Sequence, residues 1–332
     1  MTEYFKNISV MLLLLPLVAF GGRYGDAFIQ ASVPAAYSAL GGATVAYHGE
    51  TGIGLMNPAI AGWGPVRSSA IGYHYQGGLM TNYTLEQRLS IGEKWQSAAL
   101  WAHVGVDGIQ YRPDLINDLP VEIRQDSIRN MNGTGWGEFS DREDLGMITL
   151  GTLRHFKIDM GWKYFKIKAD MPLGVNIKYL RKSVWDAWAN GFGIDMGAQI
   201  GMRVVENDEP ISNTYYVVGV QLNDILNTPI YWNTKHQDVL ARSLRWGAQI
   251  SQFYEKLNCT VALLYSNYNE NGDRHHWGTE IDIGHQVFFR GGYFSGRYGV
   301  GLGVVLKMWR IDYTFSTSEL TVAHRVNLTF SY

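Results

Sequence analysis

The sequence predicts an all-β protein: a transmembrane antiparallel β-barrel of about 14 strands with a short N-terminal plug segment containing one helix. Three observations carry the prediction. The last residues, Val322 to Tyr332, alternate up to the terminal carboxylate, with Val326, Leu328, Phe330 and Tyr332 on one parity and Arg325, Asn327, Thr329 and Ser331 on the other. A strand with that pattern has one apolar and one polar face. Charged residues make up 17% and aromatics 13% of the 332 positions, with 20 Tyr, 11 Trp and 38 Gly, against about 25% charged in an ordinary soluble domain. This balance suits an outer surface in contact with lipid and headgroups. Third, an apolar leader opens the chain, and no later stretch approaches the length of a membrane helix.

That leader sets Lys6 before the run from Ile8 through Met11, Leu12, Leu13, Leu14, Leu15, Leu17, Val18 and Ala19 to Phe20. About 13 apolar residues are too few to span a bilayer and match the charged and apolar regions of a secretory signal peptide. Residues 1–22 are therefore expected to direct export, with cleavage near Ala19, Gly21 and Gly22. An exported chain of membrane-like composition without a membrane helix is left with a barrel.

Residues 23–64 read as the plug. Ser32 to Leu40 offers a cap, Pro34 near the first turn and a Gly41-Gly42 stop, which predicts a short helix. Gly49, Gly52, Gly54 and Asn57-Pro58 then force turns. Residues 65–332 read as the barrel, a succession of alternating segments clearest at Pro172–Val184, Gly191–Met202, Leu244–Ser251 and Trp309–Ser316. About 15 such windows occur, and because single-chain barrels carry an even strand number the expectation is about 14. Boundaries blur between Gly146 and Asp170. Val106 to Glu143 is too long for a turn and reads as an extracellular loop with a helical piece between Val121 and Asn130. Leu226 to Val239 reads as a shorter loop on the same side.

Chemistry concentrates in the closing strands, whose polar parity carries Glu280, Asp282, Arg290, Arg310, Asp312 and Arg325. If Trp277, Ile281, Trp309, Ile311 and Tyr313 face lipid, these charges face the lumen, where charge at membrane depth needs a partner or water. Two readings follow: a salt-bridged network that stiffens the wall, or groups that anchor the N-terminal segment or the polar head of a cargo. Gly299, Gly301 and Gly303 share one face of their strand. The pattern favours eased curvature over a recess for a plug or ligand. No Gly-x-Ser-x-Gly elbow occurs, and Gly191 to Gly197 is one residue off a dinucleotide fingerprint on an alternating strand. Adjacent His275 and His276 point to opposite faces and read with Asp273 as a polar hairpin tip, not a metal site. Cys259 reads as a small strand residue. No enzyme activity, cofactor or metal is expected, and a net charge of -2 excludes a nucleic-acid stripe.

Ala35-Ala-Tyr-Ser-Ala-Leu40-Gly41-Gly42-Ala43-Thr-Val45-Ala46, followed by Asn57-Pro58-Ala59, resembles the N-terminal segment of the FadL-like superfamily of outer-membrane barrels, and most of all its PorV/PorQ-type group. Trp277 to Glu280, Phe289 to Tyr293, Gly299 to Gly303, Ile311 to Tyr313, Ser318 to Leu320 and His324-Arg325 resemble the group's C-terminal hairpins. An arginine usual in the family is replaced near Tyr37, and its acidic pair stands here as His48-Gly49-Glu50, so no role is carried to those positions. The resemblance implies a plugged barrel in the outer membrane of a diderm bacterium, in contact with outer-membrane lipid. It further implies that Leu328, Phe330 and Tyr332 form the signal read by the barrel-assembly machinery. Two functions are implied: non-enzymatic service to type IX-like protein secretion, with secreted proteins or secretion subunits as partners, or passage of a fatty acid or other hydrophobic ligand through a lateral opening. Leu40, Gly41, Gly42, Val45, Leu55, Met56, Asn57 and Pro58, with Ile60, are the residues expected to form the plug or line such a ligand.

Overall fold

The computed structural model of the chain describes residues 27–49, 54–64, 66–92, 94–110, 119–130, 137–162, 165–206, 209–210, 212–269, 273–317 and 321–332. The expected leader, residues 1–22, lies outside them. Fourteen antiparallel strands form the wall. They are β1 (Ser68–Gln76), β2 (Met80–Ile91), β3 (Trp95–Gln110), β4 (Glu138–Trp162), β5 (Phe165–Val184), β6 (Ala187–Glu206) and β7 (Thr214–Asn223). The wall continues with β8 (Ser243–Tyr254), β9 (Cys259–Asn269), β10 (Asp273–Ile283), β11 (Val287–Phe294), β12 (Arg297–Leu306), β13 (Trp309–Thr317) and β14 (Val322–Ser331).

The alternating C-terminal segment closes the barrel. β14 pairs with β1 from Ser68 opposite Ser331 to Tyr75 opposite His324, so the last strand has a neighbour on each side and exposes no edge. The terminal amide of Tyr332 donates to Arg67 O at 3.0 Å, and its hydroxyl accepts from Gln87 Nε2 at 2.9 Å. Leu328 and Phe330 share the outward face with it.

Outward positions are apolar around the wall. Ile71, Leu85, Ile148, Ile177, Leu263, Ile281, Val300, Leu302 and Ile311 are all exposed. Aromatic pairs border this band: Trp309–Phe330 and Phe330–Tyr332 towards the C-terminal end, with ring centroids 4.8 and 5.8 Å apart, and Tyr73–Tyr83, Trp246–Tyr265 and Tyr293–Tyr298 towards the other, at 5.3, 5.3 and 5.1 Å. A continuous apolar surface of that kind is stable in lipid, and the two aromatic girdles match its interfaces.

Strand order places the connections 77–79, 111–137, 185–186 and 224–242, with those after β9, β11 and β13, at one end, called here the loop end, and the C-terminus with the connections after the even-numbered strands at the other, the turn end. In the first long loop lies helix Val121–Asn130. The segment expected as a second loop is instead a hairpin, Thr228–Trp232 with Gln237–Leu240. It adds to the wall beside Ala189–Gly191 of β6 and buries Ile230 and Leu240. The blurred stretch after Gly146 is also regular, because β4 spans 25 residues and β5 and β6 20 each, against 9 in β1. One side of the barrel therefore stands taller than the rest.

Inside the wall lies the N-terminal segment. Its helical part is in two pieces, α1 (Ala27–Ala31) and α2 (Ala35–Ala39). The helix read over Ser32–Leu40 is α2, which begins after Pro34, a residue that disfavours the helical conformation at Val33 and has no amide hydrogen; α1 precedes it and is an addition to the one helix expected. A 3₁₀ turn, Pro58–Trp63, follows with Asn57 as its cap. Leu40, Val45 and Ile60 are each at most 1% exposed, and burying such side chains stabilises by about 1.5–3 kcal/mol apiece. They pack with Leu55, Met56, Leu100, Leu145, Leu180 and Leu264 into one apolar core.

Candidate functional site: the plug and the lumen wall

The plug is seated backbone to backbone. A Cβ built on Gly292 of β11 would overlap Gly41 N and Leu40 C, and one on Gly174 of β5 would overlap the Pro58 carbonyl. At Gly278, Gly151 and Gly299 the same atom would come within 2.9 Å of Leu40 O, 2.7 Å of Gly62 N and 2.6 Å of Ser38 O. Gly219 meets the Val45 carbonyl in the same way. Glycines from β4, β5, β7, β10, β11 and β12 thus form an inward belt that admits the plug main chain. Gly299 and Gly301 belong to it, so the face expected to ease curvature is the seat of α2.

Polar wall side chains satisfy the plug's irregular backbone, which is buried and would otherwise lack partners. Asn327 Oδ1 accepts from Ala35 N at 2.7 Å, and Thr314 Oγ1 donates to Ala35 O at 2.6 Å. Val45 N donates to Ser266 Oγ at 3.2 Å, while Val45 O accepts from Gln199 Nε2 at 2.8 Å and Asn57 Nδ2 at 2.7 Å. Asn57 also donates to Val220 O at 3.3 Å and accepts from Ala59 N at 3.0 Å, so its whole amide is spent on structure. Gly41 and Gly42 have φ of +62° and +79°, a left-handed turn that aims their carbonyls at His276 Nδ1, 2.7 Å away, and at the Tyr268 hydroxyl.

Four of the six expected lumen charges meet in one cluster. Arg290 Nε lies 2.6 Å from Glu280 Oε2 and its Nη1 2.8 Å from Asp312 Oδ1, while Arg310 Nε reaches Asp312 Oδ2 at 2.8 Å. Phe288 lies beneath both guanidinium groups, with centroid distances of 5.1 and 4.2 Å. The plug joins here, because Tyr47 Oη donates to Glu280 Oε2 at 2.9 Å. Burial, with the Glu280 charge beside it, raises the Tyr47 phenol above its usual range and holds it neutral. Network and anchor, separate readings of the sequence, are the same atoms.

The other two charges sit elsewhere. Asp282 shares the parity of Glu280 but lies at the end of β10, where it bonds His285 Nδ1 at 2.7 Å and His285 N at 2.9 Å and closes the turn. Arg325 contacts hydroxyls, with Nη1 3.2 Å from Ser316 Oγ and bonded to Ser38 Oγ of α2. His275 and His276 do face opposite ways, the first to the Tyr265 hydroxyl at 2.7 Å on the outer wall, the second to the plug.

A second buried cluster escaped the sequence reading. Lys178 Nζ lies 2.8 Å from Asp195 Oδ1 and 2.9 Å from Asp224 Oδ1, and Asn176 Nδ2 donates to Asp195 Oδ2 at 3.2 Å and to Gly54 O at 2.8 Å. Lys178 and Asp195 lie on the polar, inward parity of β5 and β6; only the 224–242 connection brings Asp224 to them. At the turn-end side of the plug, the His48 ring centroid is 4.4 Å from that of Trp63 and 4.9 Å from that of Tyr215, whose hydroxyl donates to Asp170 at 3.0 Å. Among the described residues no group of His, Cys, Asp and Glu side chains is arranged to hold a metal. A recess of about 90 Å³ at the turn end, lined in part by Glu86, Arg88, Lys307 and Arg310, has room for a few waters.

No protein-family model and no curated protein matches the chain. Among solved structures the chain is similar to the Ralstonia pickettii toluene transporter TbuX, at 13% identity over 91% of this chain and 97% of that one with a TM-score of 0.46. It is also similar to the Pseudomonas putida toluene transporter TodX, at 12% over 90% and 97% with a TM-score of 0.43. The NalP autotransporter translocator domain from Neisseria meningitidis follows at 11%, 80%, 87% and 0.35.

Proposed function

We propose that this chain is an outer-membrane barrel of a diderm bacterium that serves protein secretion or surface-protein shuttling in the manner of the PorV/PorQ-type group, as a docking body and not as a conduit. The supporting observation is the seating of the plug: its main chain lies in van der Waals contact with the glycine belt, and Asn57, beside which a ligand path would run, is 0% exposed with its amide fully bonded. A fatty acyl chain needs a continuous apolar space, and the described plug residues occupy it. Partners then act at the rims, where the long loop and the tall β3–β6 side stand. Leu328, Phe330 and Tyr332 serve as the assembly signal in this reading, and residues 1–22 as the export signal.

The alternative, FadL-like uptake of a hydrophobic compound, has one observation in its favour. The β5–β6 ladder passes from Asp170–Gly201 to Leu173–Ala198 and skips Met171 and Pro172, because proline donates no hydrogen bond. Trp63 of the plug bonds Gln199 across that point. Deletion of the gene separates the two readings: loss of surface-exposed proteins with their accumulation in the periplasm is expected, with oleate uptake unchanged. Unchanged surface proteins with abolished uptake would reverse the assignment.

A further inference from the structure

Arg325 differs from the guanidinium groups of Arg290 and Arg310 in meeting no carboxylate among the described residues. Its hydrogen bonds run through Nη1, to Ser316 Oγ and to Ser38 Oγ of α2, while its Nε is enclosed and has no partner. The elements around it supply no acid. Plug residues 27–49 and 54–64 contain neither Asp nor Glu, nor do β1 and β14, and Asp312 of β13 is held by Arg290 and Arg310. A charge so placed needs a counter-ion or water. Arg325 is partly exposed and is the fourth residue of β14 counted from its loop end, so an anion reaches it from that end.

The neighbour says which anion. His74 stands directly opposite Arg325 in the β1–β14 ladder and is 3% exposed, and residues so paired have Cβ atoms about 4.5–5.5 Å apart. Its Nδ1 lies 3.2 Å from Ala31 O of α1. A carbonyl only accepts, so Nδ1 carries the proton and Nε2 presents a lone pair; that atom too is enclosed and without a partner. Nε and Nη2 of an arginine form a side-on fork that takes two oxygens of one anion, and His74 Nε2 takes a hydroxyl proton. A carboxylate or a sulfate fills the fork and offers the imidazole nothing. A phosphate ester has lost most of its last proton at pH 7, its second pKa being about 6, whereas inorganic phosphate keeps one. We propose that Arg325 and His74 bind inorganic phosphate, two oxygens on the arginine fork and the O–H donating to His74 Nε2. The same two residues touch α1 and α2 through Ala31 O and Ser38 Oγ, so the bound ion ties the plug to the closing strand. This inference does not depend on the function proposed above.

The test titrates inorganic phosphate, sulfate and glycerol 3-phosphate separately into the folded protein in detergent at pH 7 and constant ionic strength. It follows the unfolding midpoint by heat-modifiable electrophoretic mobility and the imidazole signals of protein labelled with ¹⁵N-histidine. Phosphate is expected to raise the midpoint, to half-saturate at a concentration at least about ten-fold below that of sulfate, and to move the Nε2 signal that His74→Ala removes. His74→Ala is expected to bring phosphate to the level of sulfate, and Arg325→Gln to abolish the response to both. Equal responses to phosphate and sulfate in the wild type, or a His74 Nε2 signal unmoved at saturation, overturn the proposal, and these wild-type readings decide it should a variant fail to fold. Glycerol 3-phosphate binding as tightly as the free ion assigns the site to phosphate esters and overturns it equally.

Discussion

The Tyr47 hydroxyl lies 2.9 Å from the Glu280 carboxylate, 233 positions away in sequence, and this one bond ties the plug to the charged cluster of the wall. A hydrogen bond to a charged group contributes about 1.5–3 kcal/mol. Tyr47→Phe is therefore expected to leave the barrel folded and to loosen the plug by that order, read as faster proteolysis of residues 27–64 and a lower melting temperature.

Burial of the Tyr47 phenol, with the Glu280 charge beside it, sets a pH dependence. Tyr47 keeps its proton in the folded protein well above the ordinary phenol value of 10.0, whereas the unfolded chain releases it near that value. Between the two the folded state binds more protons, so stability falls as pH rises. The wild-type advantage over Tyr47→Phe is expected to be full below pH 10.0 and to shrink above it in paired denaturation curves. A difference that stays constant or grows with pH contradicts the assignment.

Gly292→Ala places a methyl group where Gly41 N and Leu40 C lie, and backbone on both sides leaves nothing to rotate away. Overpacking of this kind costs about 1–3 kcal/mol. At the neighbouring Gly291 a Cβ meets Thr279 Cγ2 at an ordinary 3.6 Å. Gly292→Ala is expected to yield an intact barrel with a protease-sensitive N-terminal segment, and Gly291→Ala to behave as wild type.

Removing the shared cation from the second cluster leaves Asp195 and Asp224 buried together without Lys178. Breaking a buried pair in this way costs about 3–5 kcal/mol. Lys178→Met is expected to reduce stability by that order, and Lys178→Met/Asp195→Asn by less, since the double change removes one of the stranded charges. Equal losses would show that the cluster is not coupled.

Asp282 and Asp312 look alike in the sequence, yet Asp312 accepts from two buried arginines and Asp282 closes a turn beside an exposed His285. Asp312→Asn is expected to destabilise strongly and Asp282→Asn by less than about 1 kcal/mol. Thermal unfolding followed by heat-modifiable mobility ranks the two.

Much of this architecture is legible in the chain because a barrel strand has a period of two. Alternation assigns Ile311 to the outside and Asp312 to the lumen without any knowledge of neighbours, and the aromatic end of β14 marks the closing strand. Parity fails where it is blind to distance along the strand. Asp282 and Glu280 have the same parity, but two residues separate a turn from a cross-strand salt bridge. It also fails where a segment reads as loop because Pro229 and the surrounding polar residues interrupt it, as in the Thr228–Leu240 hairpin.

By itself the sequence determined a closed antiparallel barrel with an apolar exterior, a polar lumen and a non-strand segment at its N-terminal side, because periodicity and composition are local properties. Only the tertiary structure decided which glycines would receive that segment, which two carboxylates would share Arg290, and that Lys178 would bridge Asp195 and Asp224. Those contacts join residues tens to hundreds of positions apart, and they exist only once the register of fourteen strands has set every side chain at a height in the lumen.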